Sequence, residues 1–267
     1  MLLAIPFCKA KDTTDIPPGF NANTWTKTVK HDGWRCQFRK GLGLLTAHAR
    51  TTEITQWLFQ RDWFAELQRR LPDGTVIDAE LYCEDEPASS VPTYLRDASQ
   101  PLRIAPFALP MYAGHRLIRE AAIINHDRLQ TLWSAYPFFE APINLDVSYE
   151  NDTVEGFVFK ERAYEGWWKQ KKVWSYDFIV VGKVPGNGKY TGQLGAIEIG
   201  LLASDGSIRK FGQCSGMDDA MRLADPFVVG ETVVEVEYNG QLANGGLRHP
   251  RFTRLRPDKP KEDCRCE

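Results

Sequence analysis

Residues 28–38 read TVKHDGWRCQF. The stretch alternates as a strand does, breaks at Lys30, His31, Asp32 and Gly33, then resumes. Asp-Gly favours a tight turn, because glycine accepts backbone angles that other residues resist. One reading is therefore a plain turn. The other is that the break presents Lys30 as a nucleophile. A turn needs nothing further from the chain, whereas a reactive lysine needs charged partners from distant segments.

Downstream, residues 52–74 (TEITQWLFQRDWFAELQRRLPDG) carry apolar side chains at helical spacing and end on a Pro-Asp-Gly stop. Residues 75–83 (TVIDAELYC) alternate as a strand. Residues 101–112 (PLRIAPFALPMY) form another, edge-like or bulged because of its prolines. Residues 117–136 (LIREAAIINHDRLQTLWSAY) read as a helix. After Lys172 the texture changes to short strands at 173–182, 194–203, 207–214, 232–240 and 251–257, separated by glycine-rich turns, which suggests a small barrel or sandwich. The expected class is α+β: a mixed-sheet domain over residues 1–172, then an all-β domain over 173–267.

The 267 residues suffice for a sizeable core, and 43% hydrophobic with 25% charged residues is ordinary for a globular protein. A net charge of −2 gives no global hint of a nucleic-acid partner. Locally, residues 248–261 (RHPRFTRLRPDKPK) hold six Lys or Arg against one acid, Asp258, a strip suited to phosphates. No stretch approaches the roughly 20 apolar residues that span a membrane. The N-terminal LLAIPF is too short for a signal-peptide core. The six cysteines show neither metal-type spacing nor a disulfide framework, which fits a reducing, cytoplasmic setting. A glycine-rich segment, GKVPGNGKYTG at 182–192, evokes a phosphate loop. However, its glycine spacing is off by one and Tyr190 stands where a Ser or Thr should bind Mg²⁺, so a hairpin turn is expected there.

Several fragments can gather around Lys30. Glu80 lies beside Asp78 in IDAELY; EGFVFK spans 155–160; Lys169 and Lys171 stand two apart in GWWKQKK. Residues two apart in a strand share a face, so the lysine pair can enter one site, and Glu155, Phe157 and Phe159 should lie together. In this order the fragments resemble the covalent nucleotidyltransferase superfamily: ATP-dependent DNA ligases, RNA ligases and mRNA capping enzymes. Its K-x-D-G motif is met by Lys30, His31, Asp32 and Gly33. Arg50 in ARTT matches its arginine motif, and Asp78-Ala79-Glu80 its D-G-E motif, with alanine replacing glycine. Phe107 matches the aromatic motif, residues 155–160 the E-G-x-V-x-K motif, and Lys169-Gln170-Lys171 the K-x-K motif. Arg256-Pro257-Asp258-Lys259 matches the closing R-x-D-K. The R-x-P-x-F lead-in of Arg248, Pro250 and Phe252 is most similar to small phage- or bacterial-type DNA ligases.

The resemblance implies a nucleotidyltransferase (adenylation) domain followed by an OB-fold domain. It implies ATP and Mg²⁺ (or Mn²⁺) as cofactors, and nick sealing in duplex DNA, in repair or replication, through a lysyl-AMP intermediate and an adenylylated 5′-phosphate. The superfamily alternatives are an RNA ligase and a capping-type guanylyltransferase. Lys30 is the implied nucleophile. Arg35, Arg50, Glu80, Phe107, Lys169 and Lys171 are implied to hold the nucleotide, and Glu80 and Glu155 the metal. Arg256, Asp258 and Lys259 are implied to assist the first step on domain closure. Arg35, Arg50, Arg248, Arg251, Arg254 and Lys261 are implied to contact DNA. A monomer that binds nicked duplex without a latch or encircling domain is expected.

Overall fold

The computed structural model describes residues 5–84, 86–134, 142–150, 154–242 and 244–266. Its contacts divide the chain into two units, Met1–Lys171 and Lys172–Glu267.

Unit 1 is built on two sheets. The first combines β1 (Lys11–Thr13), β2 (Thr26–Val29), β8 (Gly156–Lys160) and β9 (Trp167–Lys171) in the order β1-β9-β8-β2, with β1 parallel to β9. The second combines β3 (Trp34–Gly41), β4 (Leu44–Ala49), β5 (Thr75–Cys83), β6 (Leu102–Tyr112) and β7 (His115–Arg116) in the order β4-β3-β5-β6-β7. The break at residues 30–33 is therefore not a hairpin: β2 pairs with β8, while β3 pairs with β4 and β5. The chain changes sheets there. Gly33 is needed for space rather than for its backbone angle, since a Cβ would stand 2.2 Å from the Leu81 carbonyl oxygen.

Strict alternation divides the second sheet into an apolar and a polar face. Cys36, Phe38, Ile77, Ala79, Leu81 and Cys83 enter the main core. Phe64 and Leu67 of helix α1 (Asp62–Arg70), Val91 and Leu95 of α2 (Val91–Arg96), and Leu129 and Trp133 of α3 (Ala122–Trp133) complete it. Arg35, Gln37, Arg39, Asp78 and Glu80 are left to face the first sheet. Val76, Ala108, Met111, Tyr164 and Trp167 pack between the sheets beside them. Helix α1 is shorter than residues 52–74 suggest. Arg61 stays extended at its start, buried, with its guanidinium donating to the carbonyls of Tyr94, Asp97 and Gln100. β6 is bulged opposite Asp78, and its outer edge pairs only at Met111 and Tyr112. Of the helix expected over 117–136, the structure forms residues 122–133; residues 135 and 136 lie outside the described residues.

Unit 2 contains the five expected strands: β10 (Trp174–Pro185), β11 (Leu194–Leu202), β12 (Ile208–Cys214), β13 (Val233–Tyr238) and β14 (Arg251–Leu255). Their order is β12-β11-β10-β13-β14, and a parallel bridge from Ser215 to Arg251 joins the outer strands. This is OB-fold connectivity. One short helix, α4 (Asp219–Ala224), sits between β12 and β13, capped by Asp218, whose carboxylate accepts from the Met221 amide at 2.7 Å. Residues 186–193 link β10 to β11 and form a short turn, with no extended arm. Among the described residues no helix is long and apolar enough to cross a membrane.

Candidate active site

Lys30 follows the last residue of β2, and its amide donates to the Gly156 carbonyl at 2.9 Å. Its ammonium forms an ion pair with Glu155. Lys171 lies 4.0 Å from the other Glu155 oxygen. Lys169, two residues before it, pairs with Asp12 of β1 at 3.3 Å. Glu155 does not share the face of Phe157 and Phe159, as simple alternation suggests. Those two rings pack with Trp25 behind the sheet, whereas the carboxylate reaches forward to the lysines. Gly156 breaks the alternation. It passes so close to β9 that a Cβ would meet the Gln170 carbonyl at 2.0 Å.

The facing wall comes from β3, β5 and β6. Arg35 stands opposite Glu80 in the β3–β5 register. Its guanidinium clasps buried Asp78, with Nε to Oδ1 at 3.1 Å and Nη2 to Oδ2 at 2.7 Å, and also donates to the Cys8 carbonyl. Phe7, Phe107, Tyr164 and Trp167 surround it with ring centroids 5.1–5.9 Å away. Arg35 is thus already committed within the protein. Tyr164 donates its hydroxyl to Asp78 and receives the Gln37 amide at 2.5 Å; Arg39 donates to the Gln37 carbonyl oxygen at 2.8 Å. A continuous polar chain therefore runs Arg35–Asp78–Tyr164–Gln37–Arg39.

Glu80 is partly buried and has no hydrogen bond or ion pair among the described residues. Burial pushes its carboxyl up to about 8, against the pull of nearby Lys30. Lys160 is buried, donates to the Phe107 carbonyl at 2.7 Å and lies 5.1 Å from that ring's centroid. Burial draws its ammonium down to about 7, with Asp78 pulling the other way. Phe107 packs edge-on against Trp167, centroids 5.8 Å apart. His31 rests against the Tyr82 ring at 4.8 Å, and Asp32 accepts the Ala88 amide at 3.2 Å, tying the lysine loop to the segment after β5. Arg50, just past β4, is exposed and belongs to a separate cleft.

Among the described residues, no three His, Cys, Asp or Glu side chains converge as a metal cage. Two hard carboxylates, Glu80 and Glu155, still fit Mg²⁺, which keeps waters and substrate phosphate as its other ligands.

Five candidate cations of unit 2, Arg251, Arg254, Arg256, Lys259 and Lys261, meet acids of the same unit. Arg256 clasps Asp177 at 2.8 Å and Asp258 at 2.9 Å, and Lys259 meets the same Asp177 at 2.9 Å. The contact with Arg256 holds the Asp258 carboxyl down at about 2. Arg251 lies 3.6 Å from Glu237, Arg254 2.6 Å from Glu235, and Lys261 2.5 Å from Glu231. The charge excess of residues 248–261 is thus a property of the sequence interval. Acids on and before β13 balance it in space.

Sequence reasoning missed Gln37, Arg39 and Tyr164 as part of this constellation, and gave Lys160 no role beyond closing the E-G-x-V-x-K motif. The signal for Gln37 and Arg39 was present: period-two alternation puts them on the face of Arg35.

Residues 185–256 match the DNA ligase OB-like domain family. A probable DNA ligase of Streptomyces coelicolor is 33% identical over 140 residues, covering 41% of this chain and 27% of that protein. One from Streptomyces avermitilis is 34% identical over 120 residues, covering 37% and 23%. The matches therefore span only about a quarter of those relatives' length. Among solved structures, a Lig E DNA ligase superposes with a TM-score of 0.68 at 18% identity, covering 95% of this chain and all of the other. The chain has the DNA ligase fold. The ligase domain of M. tuberculosis LigD agrees, with a TM-score of 0.52 at 20% identity and 98% coverage of each chain.

Proposed function

We propose that this chain is an ATP-dependent DNA ligase that seals nicks in duplex DNA. The observation that carries the reading is the pairing of Lys30 with Glu155, flanked by Lys171, in a chain with the DNA ligase fold. It is supported by relatives named as DNA ligases and by the order of the motifs.

Lys30 is the nucleophile. An ammonium cannot attack, and Glu155, hydrogen-bonded to Nζ, is placed to receive its proton. The freed lone pair forms a P–N bond to the α-phosphate of ATP, and the P–O bond to pyrophosphate breaks. AMP then passes from Lys30 to the 5′-phosphate of the nick, and the 3′-hydroxyl displaces it. Lys169 and Lys171 offset negative charge as the α-phosphate becomes five-coordinate. Phe107 stacks on adenine, with Lys160 fixing the backbone beneath its ring. Arg35 orients the wall toward the ribose, held by Asp78. Glu80 and Glu155 would hold Mg²⁺, which supplies charge neutralisation at the phosphates. Arg256, Asp258 and Lys259 serve the first step, for which Arg256 and Lys259 must leave Asp177. Nicked DNA is the partner and a monomer the working unit.

The test is incubation with ATP labelled at the α-phosphate, then a denaturing gel. Label should remain on the chain and pass to a 5′-phosphorylated nick. An unlabelled chain, or label transferred only to nicked RNA or supplied only by GTP, overturns the reading.

A further inference from the structure

An open cleft of about 320 Å³ lies in unit 1, with Arg39, His48, Arg50 and Thr51 among its lining residues, Phe7 on one wall and Glu53 at its side. Most arginines of this unit rest on carboxylates, as Arg69, Arg70, Arg103 and Arg128 do. Arg39 and Arg50 have no ion pair among the described residues, although exposed Glu53 is near. Arg39 is not loose. Its Nε and Nη2 both rest on Gln37 Oε1, at 3.2 and 2.8 Å, which fixes the guanidinium and leaves Nη1 without a hydrogen bond among the described residues.

A pinned guanidinium beside a second arginine, an imidazole and a hydroxyl is a donor set for a phosphate, which accepts several charge-assisted bonds at once. Such a set carries no base-reading geometry, so it suits the backbone and not the sequence of a nucleic acid. The cleft also adjoins the nucleotide wall: Phe7 lines it and lies 5.1 Å from the Arg35 guanidinium. We propose that this cleft binds one backbone phosphate of duplex DNA near the nick, with Arg39 as a DNA-binding residue beside Arg50. This rests on nicked DNA being the substrate. The buried chain through Gln37, Tyr164 and Asp78 makes Arg39 and Arg35 parts of one rigid frame, so a phosphate seated in the cleft sets where the adjoining strand enters the site.

The experiment uses the full chain and nicked duplexes in which one phosphate at a time is replaced by an uncharged methylphosphonate. At one position the substitution should weaken binding about tenfold. In R39M, that same position should become silent. No sensitive position, or an identical profile in R39M, overturns the proposal. Should R39M fail to fold, phenylglyoxal modification of the unaltered chain decides. Nicked duplex should protect Arg39, and an unprotected Arg39 overturns it. Self-labelling by ATP is run alongside. If labelling fails while the phosphonate pattern holds, the ligase reading falls and the cleft stands.

Discussion

Lys30 and Glu155, 125 residues apart in the chain, form an ion pair in which the carboxylate is only 6% exposed. The proposed nucleophile is therefore held against a carboxylate that can take its proton. Lys30→Ala should abolish retention of labelled AMP. Lys30→Arg should not restore it, because a guanidinium stays protonated and has no lone pair to offer. Label on either variant at the unaltered level would move the nucleophile elsewhere.

Glu155→Gln separates chemistry from folding. The amide keeps the shape and can still accept a hydrogen bond from Lys30, but it takes no proton. Labelling should fall by at least about a hundredfold, the lower end of what proton transfer contributes. Because the carboxylate is buried rather than lying on a strand surface, some stability should be lost as well, about 1–2 kcal/mol. Near-normal labelling in a folded Glu155→Gln protein would leave Glu155 a purely structural partner.

Glu80 gives a pH signature. Its carboxyl is raised to about 8 in the folded chain, above the ordinary carboxylate range of the unfolded one. Its stabilising contribution is thus complete at pH below about 4.5 and is lost as pH rises to about 8. Glu80→Gln should be no more stable than the unaltered chain at pH 4.5, and increasingly more stable toward pH 8, where the gap levels off. Adding Mg²⁺ above pH 8 should narrow the gap. Melting temperatures of both proteins across this range, with and without Mg²⁺, are the measurement. A gap independent of pH would contradict the assignment.

Gly33→Ala tests why the lysine loop holds glycine. If only the turn angle mattered, alanine would be mild, since Gly33 is not among the positive-φ residues. The added methyl instead meets the Leu81 carbonyl oxygen at 2.2 Å, so β3 must move from β5. Overpacking of this kind costs about 1–3 kcal/mol. A denaturation midpoint equal to that of the unaltered chain would remove the steric argument.

Much of this arrangement could be read from strand periodicity. TVIDAELYC sends Ile77, Ala79, Leu81 and Cys83 into the core, and Asp78 and Glu80 toward the opposite sheet. The five strands of unit 2 were legible for the same reason. What failed were inferences needing knowledge of a partner. Periodicity places Glu155 with Phe157, but the close approach of Gly156 to Gln170 reverses it. Helical spacing runs through residues 52–74, yet Arg61 gives up helical angles to satisfy three carbonyls from 94–100. Gln37 and Tyr164, 127 residues apart, meet only because two sheets face each other. Local sequence does not encode that meeting.

The basic strip is where sequence and space disagree most, and it yields a sharper test of the DNA surface. Arg254 lies 2.6 Å from Glu235 across the β13–β14 ladder, at an exposed site. If Arg254 contacts a DNA phosphate, it must exchange that carboxylate for the phosphate, and the exchange returns less than a free arginine would. Glu235→Gln should therefore tighten binding of nicked duplex, while Arg254→Met should weaken it and lower the log–log salt slope by about one. An exposed pair contributes about 0–1 kcal/mol to folding, so neither change should disturb the barrel. The two substitutions must also be non-additive: with Arg254 absent, removing Glu235 should gain little beyond the loss of one repelling charge. Binding isotherms for the four proteins between about 50 and 200 mM salt decide the matter. Should Glu235→Gln tighten binding equally with and without Arg254, the effect is general electrostatics and Arg254 lies off the DNA path.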